Sequence, residues 1–220
     1  MNSFELSDKA VRLDAAHMAL LVIDLQRDFL DPQGYAARAG VDVARLRTTI
    51  APVRRLLAAA RTGGMRVIFT REGHRPDLAD CPPAKLARSR AAGAEIGSAG
   101  PLGRLLVRGE WGHDLIEDMN LGAGEVVIDK PGYSAFHQTE LDQILRGNAI
   151  RTLIVCGVTT EVCVHSSVRA ATDLGYHCIT VSDACAASEP QLQQPALAMI
   201  DVEGGIFGQV LDCRTVCQRI

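Results

Sequence analysis

The sequence has no long apolar run, no stretch with the pattern of a signal peptide and no concentration of basic residues. Hydrophobic residues make up 47% of the 220 positions, yet no window approaches the roughly 18 unbroken apolar residues that a membrane span requires. Acidic residues precede the first apolar stretch and no small-residue cleavage site is present, so a secretory signal is not expected. The formal net charge is -3 with both signs mixed along the chain, which argues against a nucleic-acid partner. The sequence therefore predicts a soluble, cytoplasmic protein whose partners are small molecules rather than nucleic acid or membrane.

Motifs for metals and nucleotide cofactors are missing as well. The seven cysteines are odd in number and irregularly spaced, which is typical of reduced thiols rather than of a disulfide framework. No cysteine and histidine spacing suits a zinc site, and no G-x-G-x-x-G follows the first apolar run, so we expect neither a metal nor a cofactor. No internal repeat or break in composition divides the chain, and residues 1–220 are predicted to form one domain.

Apolar runs alternate with helical patterns along the whole chain. The predicted strands are ALLVID, MRVIFTR, EVVIDK, RTLIVCGV, HCITVSDA and a final segment within GGIFGQVLD. The predicted helices cover residues 41–61, 139–147, 160–174 and 190–202. This alternation predicts an α/β fold with a mainly parallel sheet covered on both faces. The long stretch after the second strand is expected to be functional, and its basic residues make it a candidate lid: Arg71, His74, Arg75, Lys85, Arg88 and Arg90.

Three reactive side chains stand where predicted strands end or helices begin. Asp24 closes the first strand, Lys130 closes the third, and Cys163 follows the fourth at the first turn of a helix. Because ligands bind beyond the carboxyl ends of strands in an open parallel sheet, these groups are expected to meet at one edge. Taken alone, Asp24 could cap a helix or a turn, Lys130 could be a surface lysine, and Cys163 could be a small buried hydrophobic residue. Together they predict a cysteine nucleophile whose pKa is lowered by a nearby cation and a helix N-terminus.

The segment around the cysteine also suits the stabilisation of an oxyanion. Thr159 and Thr160 are candidate caps for the helix that carries Cys163. The N–H of Cys163 is then among the unsatisfied donors of the first helical turn, and such donors stabilise negative charge that forms on a carbonyl oxygen.

Three segments resemble the signatures of the isochorismatase-like cysteine hydrolases, in the right order and over nearly the whole chain: LLVIDLQRDF, VVIDKPGYSAF and VCGVTTEVCVHSSVRAATDLGY. The resemblance implies a three-layer, Rossmann-like sandwich with a six-stranded, mainly parallel sheet, and a catalytic triad that falls on Asp24, Lys130 and Cys163. It also implies a cis peptide bond between Val158 and Thr159, with the N–H groups of Thr159 and Cys163 directed at the oxyanion. A homotetramer is a further implication of the resemblance.

The stretch from Thr70 to Gly112 narrows this resemblance within the superfamily. It is similar to the corresponding stretch of the biuret hydrolases and the related triuret hydrolases, which implies a small, linear, urea-like amide as the substrate. It does not look like the nicotinamidase pattern, which carries a metal site.

Three further positions are candidates for substrate binding. Tyr133 and Glu203 stand where the biuret hydrolase pattern usually has lysine and glutamine. Because an ionised glutamate only accepts hydrogen bonds, Glu203 favours a ligand rich in N–H groups, and triuret presents more of them than biuret. Phe29, just past Asp24 in the following loop, is expected to form an apolar wall against a flat substrate. The plainer alternatives are a solvated charge for Glu203 and ordinary packing for both aromatic residues.

The predicted activity is cysteine-dependent hydrolysis of a terminal C–N bond in triuret or biuret, with release of ammonia through a thioester intermediate. Within the superfamily, the alternatives are other ureido amides such as ureidoacrylate or N-carbamoylsarcosine. In other classes, the alternatives are a non-catalytic binding protein with this fold and a redox protein in which Cys163 is the peroxidatic thiol.

Overall fold

Eight strands are present in the computed structural model, which describes residues 14–220. Six of them form one all-parallel sheet in the order β5-β2-β1-β6-β7-β8, and β3 and β4 form a separate antiparallel hairpin. In chain order the strands are β1 Met18–Ile23, β2 Arg66–Glu72, β3 Ala99–Gly100, β4 Gly103–Arg104, β5 Val126–Lys130, β6 Thr152–Val158, β7 His177–Ala186 and β8 Gln209–Leu211. The six-stranded α/β sandwich expected from the sequence is confirmed. The expectation about a secretory signal concerns the N-terminus, of which residues 1–13 lie outside the described residues.

Helices connect the strands and cover the sheet. They are α1 Arg27–Leu30, α2 Tyr35–Arg38, α3 Val43–Arg47, α4 Ile50–Thr62, α5 Pro83–Ala91, α6 Leu141–Gly147, α7 His165–Asp173, α8 Pro190–Ile200, α9 Val202–Gly205 and α10 Cys213–Cys217. Short 3₁₀ turns occupy Ala15–His17 and Glu117–Met119, and a π-helical turn occupies Thr160–Val164. In the part of the chain that the structure describes, no helix combines the length and apolar character needed to cross a membrane.

The helix predicted over residues 41–61 is divided into α3 and α4. Between them, the hydroxyl of Thr48 donates to the carbonyl oxygen of Arg45 at 2.7 Å, and the hydroxyl of Thr49 donates to that of Leu46 at 2.8 Å. Such local side-chain bonds compete with the helical backbone ladder. The apolar spacing continues through the break, which is why periodicity alone predicted one helix.

The order of the strands places a crevice between β1 and β6. From β1 the chain runs outward to β2 and β5, and then returns to β6 on the other side of β1 before continuing to β7 and β8. All residues of β1 and β6 are buried, so these two strands form the rigid centre of the core. A ligand site is favoured at such a reversal, beyond the carboxyl ends of the two strands.

The close approach of β1 and β6 depends on Gly157. Its φ is 122°, and a Cβ there would lie 2.0 Å from the carbonyl oxygen of Ile23. We expect Gly157→Ala to lower the free energy of unfolding by at least about 3 kcal/mol, because the backbone of β1 would have to move. Urea denaturation measures this change. Gly147→Ala is the matched control, since a Cβ at that position meets nothing within 4 Å; equal stability of the two variants would contradict the prediction.

Candidate active site

Asp24, Lys130 and Cys163 meet at the carboxyl edge of the sheet, where the ends of the strands predicted them. Asp24 follows β1, Lys130 ends β5, and Cys163 lies on the π-helical turn after β6. The Nζ of Lys130 is 2.8 Å from Oδ2 of Asp24 and 3.5 Å from Sγ of Cys163. Asp24 and Lys130 are fully buried, and Cys163 is 4% exposed. The ammonium group therefore lies between the carboxylate and the thiol.

A fourth ionisable residue, Glu72, completes this cluster and was not predicted from the sequence. It is the last residue of β2 and lies in register with Lys130. Its Oε2 accepts a hydrogen bond from Sγ of Cys163 at 3.2 Å and lies 3.4 Å from Nζ of Lys130. Its Oε1 is 2.6 Å from Nζ of Lys85 on α5. The same argument from strand ends would have found Glu72, but the predicted strand stopped one residue earlier, at Arg71.

Gln26, a second residue that sequence reasoning missed, fixes the end of β2. Its Nε2 donates to the carbonyl oxygens of Glu72 and His113 at 2.9 and 2.8 Å. Its Oε1 accepts from the N–H of Glu72 at 2.7 Å. The amide is completely buried and holds the backbone of Glu72 on both sides. Its burial and hydrogen bonds identify this role, and the LLVIDLQRDF segment that contains it did not by itself single it out.

The turn that carries Cys163 is held differently from the expectation. The side chain of Thr159 makes no capping hydrogen bond, and Oγ1 of Thr160 donates instead to Oε1 of Gln193 on α8 at 2.9 Å. Thr159 thus occupies the expected N-cap position without a capping side chain, and the hydroxyl of Thr160 finds its partner on α8. The hydrogen bond between Thr160 and Gln193 therefore ties this turn to α8.

The backbone around Cys163 is also fixed from α7 and from the loop after β5. The hydroxyl of Ser167 donates to the carbonyl oxygen of Cys163 at 2.7 Å and accepts from the N–H of Ala135 at 2.9 Å. The peptide bond between Val158 and Thr159 is cis, as the resemblance implied. Two neighbouring elements therefore determine where the thiol stands.

The resting site holds a thiol rather than a thiolate. Burial raises the pKa of Cys163 well above its ordinary value; Lys130 opposes this shift, and the charges of Glu72 and Asp24 add to it. The expected lowering of this pKa is therefore wrong, because one cation does not outweigh burial and two carboxylates. A base is needed to remove the thiol proton.

The two carboxylates of the cluster have different proton affinities. Burial raises the pKa of Asp24, and Glu72 adds to this shift, although Lys130 opposes it. Burial would also raise the pKa of Glu72, but Lys130 and Lys85 lower it to about 2. Asp24 is therefore the carboxylate suited to carry a proton, and Glu72 is the one that stays ionised.

One group of three metal-ligand atoms exists among the described residues. It comprises Asp24, Glu72 and Cys163, whose ligand atoms lie within 4.8 Å of one another. The Nζ of Lys130 contacts all three side chains, at 2.8, 3.4 and 3.5 Å. The ammonium thus supplies positive charge to all three of these side chains.

A cavity of about 260 Å³ opens above Cys163. Aromatic and polar residues line part of it: Phe29, Tyr35, Glu72, Tyr133, Thr159, Glu161 and Ser188. Apolar residues line the rest: Ala36, Ala39, Val41, Leu46 and Val162. Phe29 belongs to the short helix α1 rather than to a loop, and its ring packs edge-on against Tyr35 with 6.0 Å between centroids. Phe29, Tyr133 and Thr159 thus line this cavity, and their roles towards a substrate stay predictions.

Glu203 does not lie at the cavity. It is exposed in the kinked segment α9, with a φ of 54°, and is not among the residues that line the space above Cys163. The resemblance to the biuret hydrolase pattern selected Glu203, but no pattern in the sequence indicates the direction of the turn that carries it. The carboxylates that do line the cavity are Glu72 and Glu161, and Oε1 of Glu161 accepts from the backbone N–H and the hydroxyl of Ser188.

Comparisons with known proteins agree with this geometry. Residues 18–214 match the isochorismatase domain family. The chain is 33% identical over 215 residues to ureidoacrylate amidohydrolase RutB of Serratia proteamaculans, with 96% of this chain and 86% of that protein covered. A cysteine hydrolase from Pseudomonas syringae has a similar structure, with a TM-score of 0.80, 28% identity and 94% of each chain covered. The N-carbamoylsarcosine amidase of Thermoplasma acidophilum shares the fold, with a TM-score of 0.68, 24% identity and coverage of 89% and 96%. The chain therefore belongs to the isochorismatase family.

Proposed function

We propose that this enzyme, a hydrolase acting on carbon–nitrogen bonds in linear amides, cleaves a terminal C–N bond of a small, uncharged ureido amide such as triuret or biuret. The observation that carries the proposal is the contact of Lys130 with both Asp24 and Cys163, at 2.8 and 3.5 Å, beside a cavity whose lining includes Glu72 and Glu161 among apolar and aromatic residues. The products are ammonia and the acid that forms when a hydroxyl group replaces the terminal amino group of the substrate.

The first step forms a thioester. Asp24 takes the proton from Cys163, and the sulfur attacks the terminal carbonyl carbon while the backbone N–H groups of Thr159 and Cys163 hold the oxyanion. The C–N bond then breaks, and Asp24 returns the proton to the leaving nitrogen, which departs as ammonia. Lys130 stabilises the negative charges that Asp24 and Cys163 carry in turn.

The second step uses the same groups in reverse. Asp24 takes a proton from water, and the resulting hydroxide adds to the thioester carbon. The C–S bond breaks, and the sulfur recovers its proton from Asp24. The site thus returns to its resting state with one water consumed and one ammonia released.

The charge of the cavity supports an uncharged substrate. Glu72 and Glu161 both line it, whereas no lysine or arginine among the described residues does so, and Lys130 lies fully buried. The carboxylate of ureidoacrylate or of N-carbamoylsarcosine would approach Glu161 and a Glu72 that Lys85 and Lys130 already pair, with no further lysine or arginine among the described lining residues to bind it. Ureido N–H groups, in contrast, can donate to carboxylate oxygens. The volume of about 260 Å³ also suits a small molecule.

Ureidoacrylate hydrolysis is the second candidate, because a relative with 33% identity is an ureidoacrylate amidohydrolase. The test is ammonia release from triuret, biuret, ureidoacrylate and N-carbamoylsarcosine in parallel. We expect kcat/KM for triuret or biuret to exceed that for either acid by about 100-fold or more, because an unpaired charge would be transferred into the cavity. A preference for ureidoacrylate would refute the uncharged substrate.

Glu161→Gln provides the charge control for this panel. The variant keeps an acceptor for Ser188 but removes one of the two carboxylates at the cavity. We expect the ratio of kcat/KM for triuret or biuret to kcat/KM for either acid to fall about tenfold in this variant. No ammonia from any of the four compounds would instead favour a binding or redox role for the chain.

A further inference from the structure

The thiol of Cys163 donates its hydrogen bond to Glu72. The distance from Sγ to Oε2 is 3.2 Å, and Glu72 is 4% exposed. The oxygens of Asp24 are engaged by other groups, since Oδ1 accepts from Oγ1 of Thr70 at 2.6 Å and Oδ2 pairs with Lys130. Glu72 therefore contacts the reacting sulfur directly and is placed to affect its chemistry.

The surroundings of Glu72 keep its negative charge in place. Lys85 lies 2.6 Å from Oε1 and Lys130 lies 3.4 Å from Oε2, so both carboxylate oxygens face an ammonium group. Lys85 is itself fixed, because its Nζ also donates to the carbonyl oxygen of Pro131 at 2.7 Å. A carboxylate paired in this way is a poor proton acceptor, which separates Glu72 from the proton carrier Asp24.

We propose that Glu72 is a fourth catalytic group, a fixed anion that binds the thiol hydrogen in the resting site and an N–H of the leaving nitrogen once that hydrogen has moved to Asp24. The identity of the second partner rests on the proposed function. Glu72 neither gains nor loses a proton in the cycle. Its Oε2 changes partner from S–H to N–H as the C–S bond forms.

This exchange links activation of the nucleophile to the presence of substrate. With the cavity empty, loss of the thiol proton would leave a thiolate and a carboxylate about 3.2 Å apart, and like charges at that distance repel. A substrate N–H that donates to Oε2 reduces this repulsion. Cys163 is therefore expected to react slowly with general electrophiles until a ureido amide is bound.

The test is alkylation of the free enzyme by iodoacetamide, followed as modification of the Cys163 peptide by mass spectrometry across a range of pH. Glu72→Gln keeps an oxygen that can accept the thiol hydrogen but removes the charge. We expect the apparent pKa of Cys163 to fall by about one unit or more and alkylation at pH 7 to accelerate about tenfold, because more thiolate is present. A purely structural role would not accelerate this reaction.

Asp129→Asn is the matched control. Asp129 precedes Lys130 on β5, but its carboxylate pairs with Arg71 at 2.8 Å rather than with the cluster. This variant should leave the alkylation profile of Cys163 unchanged. An unchanged or raised pKa of Cys163 in Glu72→Gln would overturn the proposal.

The activity arm uses triuret and biuret. Glu72→Gln should lower kcat at least about tenfold on whichever compound the wild type hydrolyses, although its thiol is more reactive. Retained kcat would overturn the role at the leaving nitrogen. Failure of the wild type on both compounds would instead count against the proposed function, and the alkylation comparison would still decide how Glu72 acts on the thiol.

Glu72→Gln leaves Lys85 buried without its carboxylate partner, and the variant can therefore fail to fold. A second pair of variants tests the proposal in that case. Lys85→Met and the double variant Glu72→Gln/Lys85→Met differ only in the charge of Glu72. Faster alkylation of Cys163 in the double variant than in Lys85→Met supports the proposal, and equal rates overturn it.

Discussion

Replacing Cys163 with serine is expected to lower ammonia release from triuret or biuret by about 10⁴-fold or more. A serine hydroxyl is far less acidic than a thiol, so Asp24 cannot generate a comparable nucleophile even with its raised pKa. The fold should persist, because the hydroxyl can still donate to Oε2 of Glu72, the present partner of Sγ. The measurement is ammonia release under saturating substrate, with the two proteins compared by circular dichroism.

Cys178→Ser is the matched control for this substitution. Cys178 is buried in β7, and its Sγ lies 3.9 Å from the carbonyl oxygen of Val168, which a hydroxyl can use. This variant should retain activity. Acid-quenched wild-type enzyme should also carry an acyl adduct that Cys163→Ser lacks. Substantial turnover by Cys163→Ser would remove Cys163 from the proposed mechanism.

Replacing Lys130 with glutamine is expected to affect both catalysis and stability. The ammonium bonds Asp24 at 2.8 Å and the carbonyl oxygen of Gly132 at 3.0 Å, and it lies 3.4 Å from Glu72. Its loss leaves two buried carboxylates without their shared cation. We expect kcat to fall by about 100-fold or more and the free energy of unfolding at neutral pH to fall by about 3–5 kcal/mol. Saturation kinetics and urea denaturation measure the two effects, and KM should change less than kcat.

The stability loss of Lys130→Gln should also depend on pH. Without the ammonium, the pKa of Asp24 rises further in the folded state, so the folded protein binds more protons there than the unfolded chain does. The deficit relative to the wild type should therefore shrink as the pH falls from 7 towards 5. Arg71→Gln, which breaks the neighbouring ion pair with Asp129, is the control and should show no such recovery. A deficit that is independent of pH would contradict this account.

The ends of the strands were the most informative part of the sequence. Because parallel strands present their carboxyl ends at one edge, Asp24, Lys130 and Cys163 were predictable as neighbours without knowledge of the strand order. Glu72 follows the same rule and was lost only because the boundary of its strand was set one residue short, at Arg71. An error of one residue at a strand end is small for the fold but large for the site.

Other features depend on contacts between elements that are distant in the sequence. The partner of Thr160 is Gln193, 33 residues away, and the carboxylates that line the cavity are set by how α1, β2 and the π-helical turn converge. Glu203 shows the opposite case, since its position in the sequence was known but it is exposed in the kinked segment α9 and does not line the cavity. The pattern of residues within one segment does not show which distant element a side chain will contact.

The ion pair between Lys85 and Glu72 limits how this enzyme can be redesigned. Lys85 belongs to α5, in the long connection between β2 and β5, whereas Glu72 belongs to the sheet. An exchange of that connection for one from another hydrolase would remove the lysine and leave Glu72 in the scaffold. A loop graft must therefore carry both residues across the junction or replace both, because the electrostatics of the nucleophile depend on an ion pair that joins the connection to the sheet.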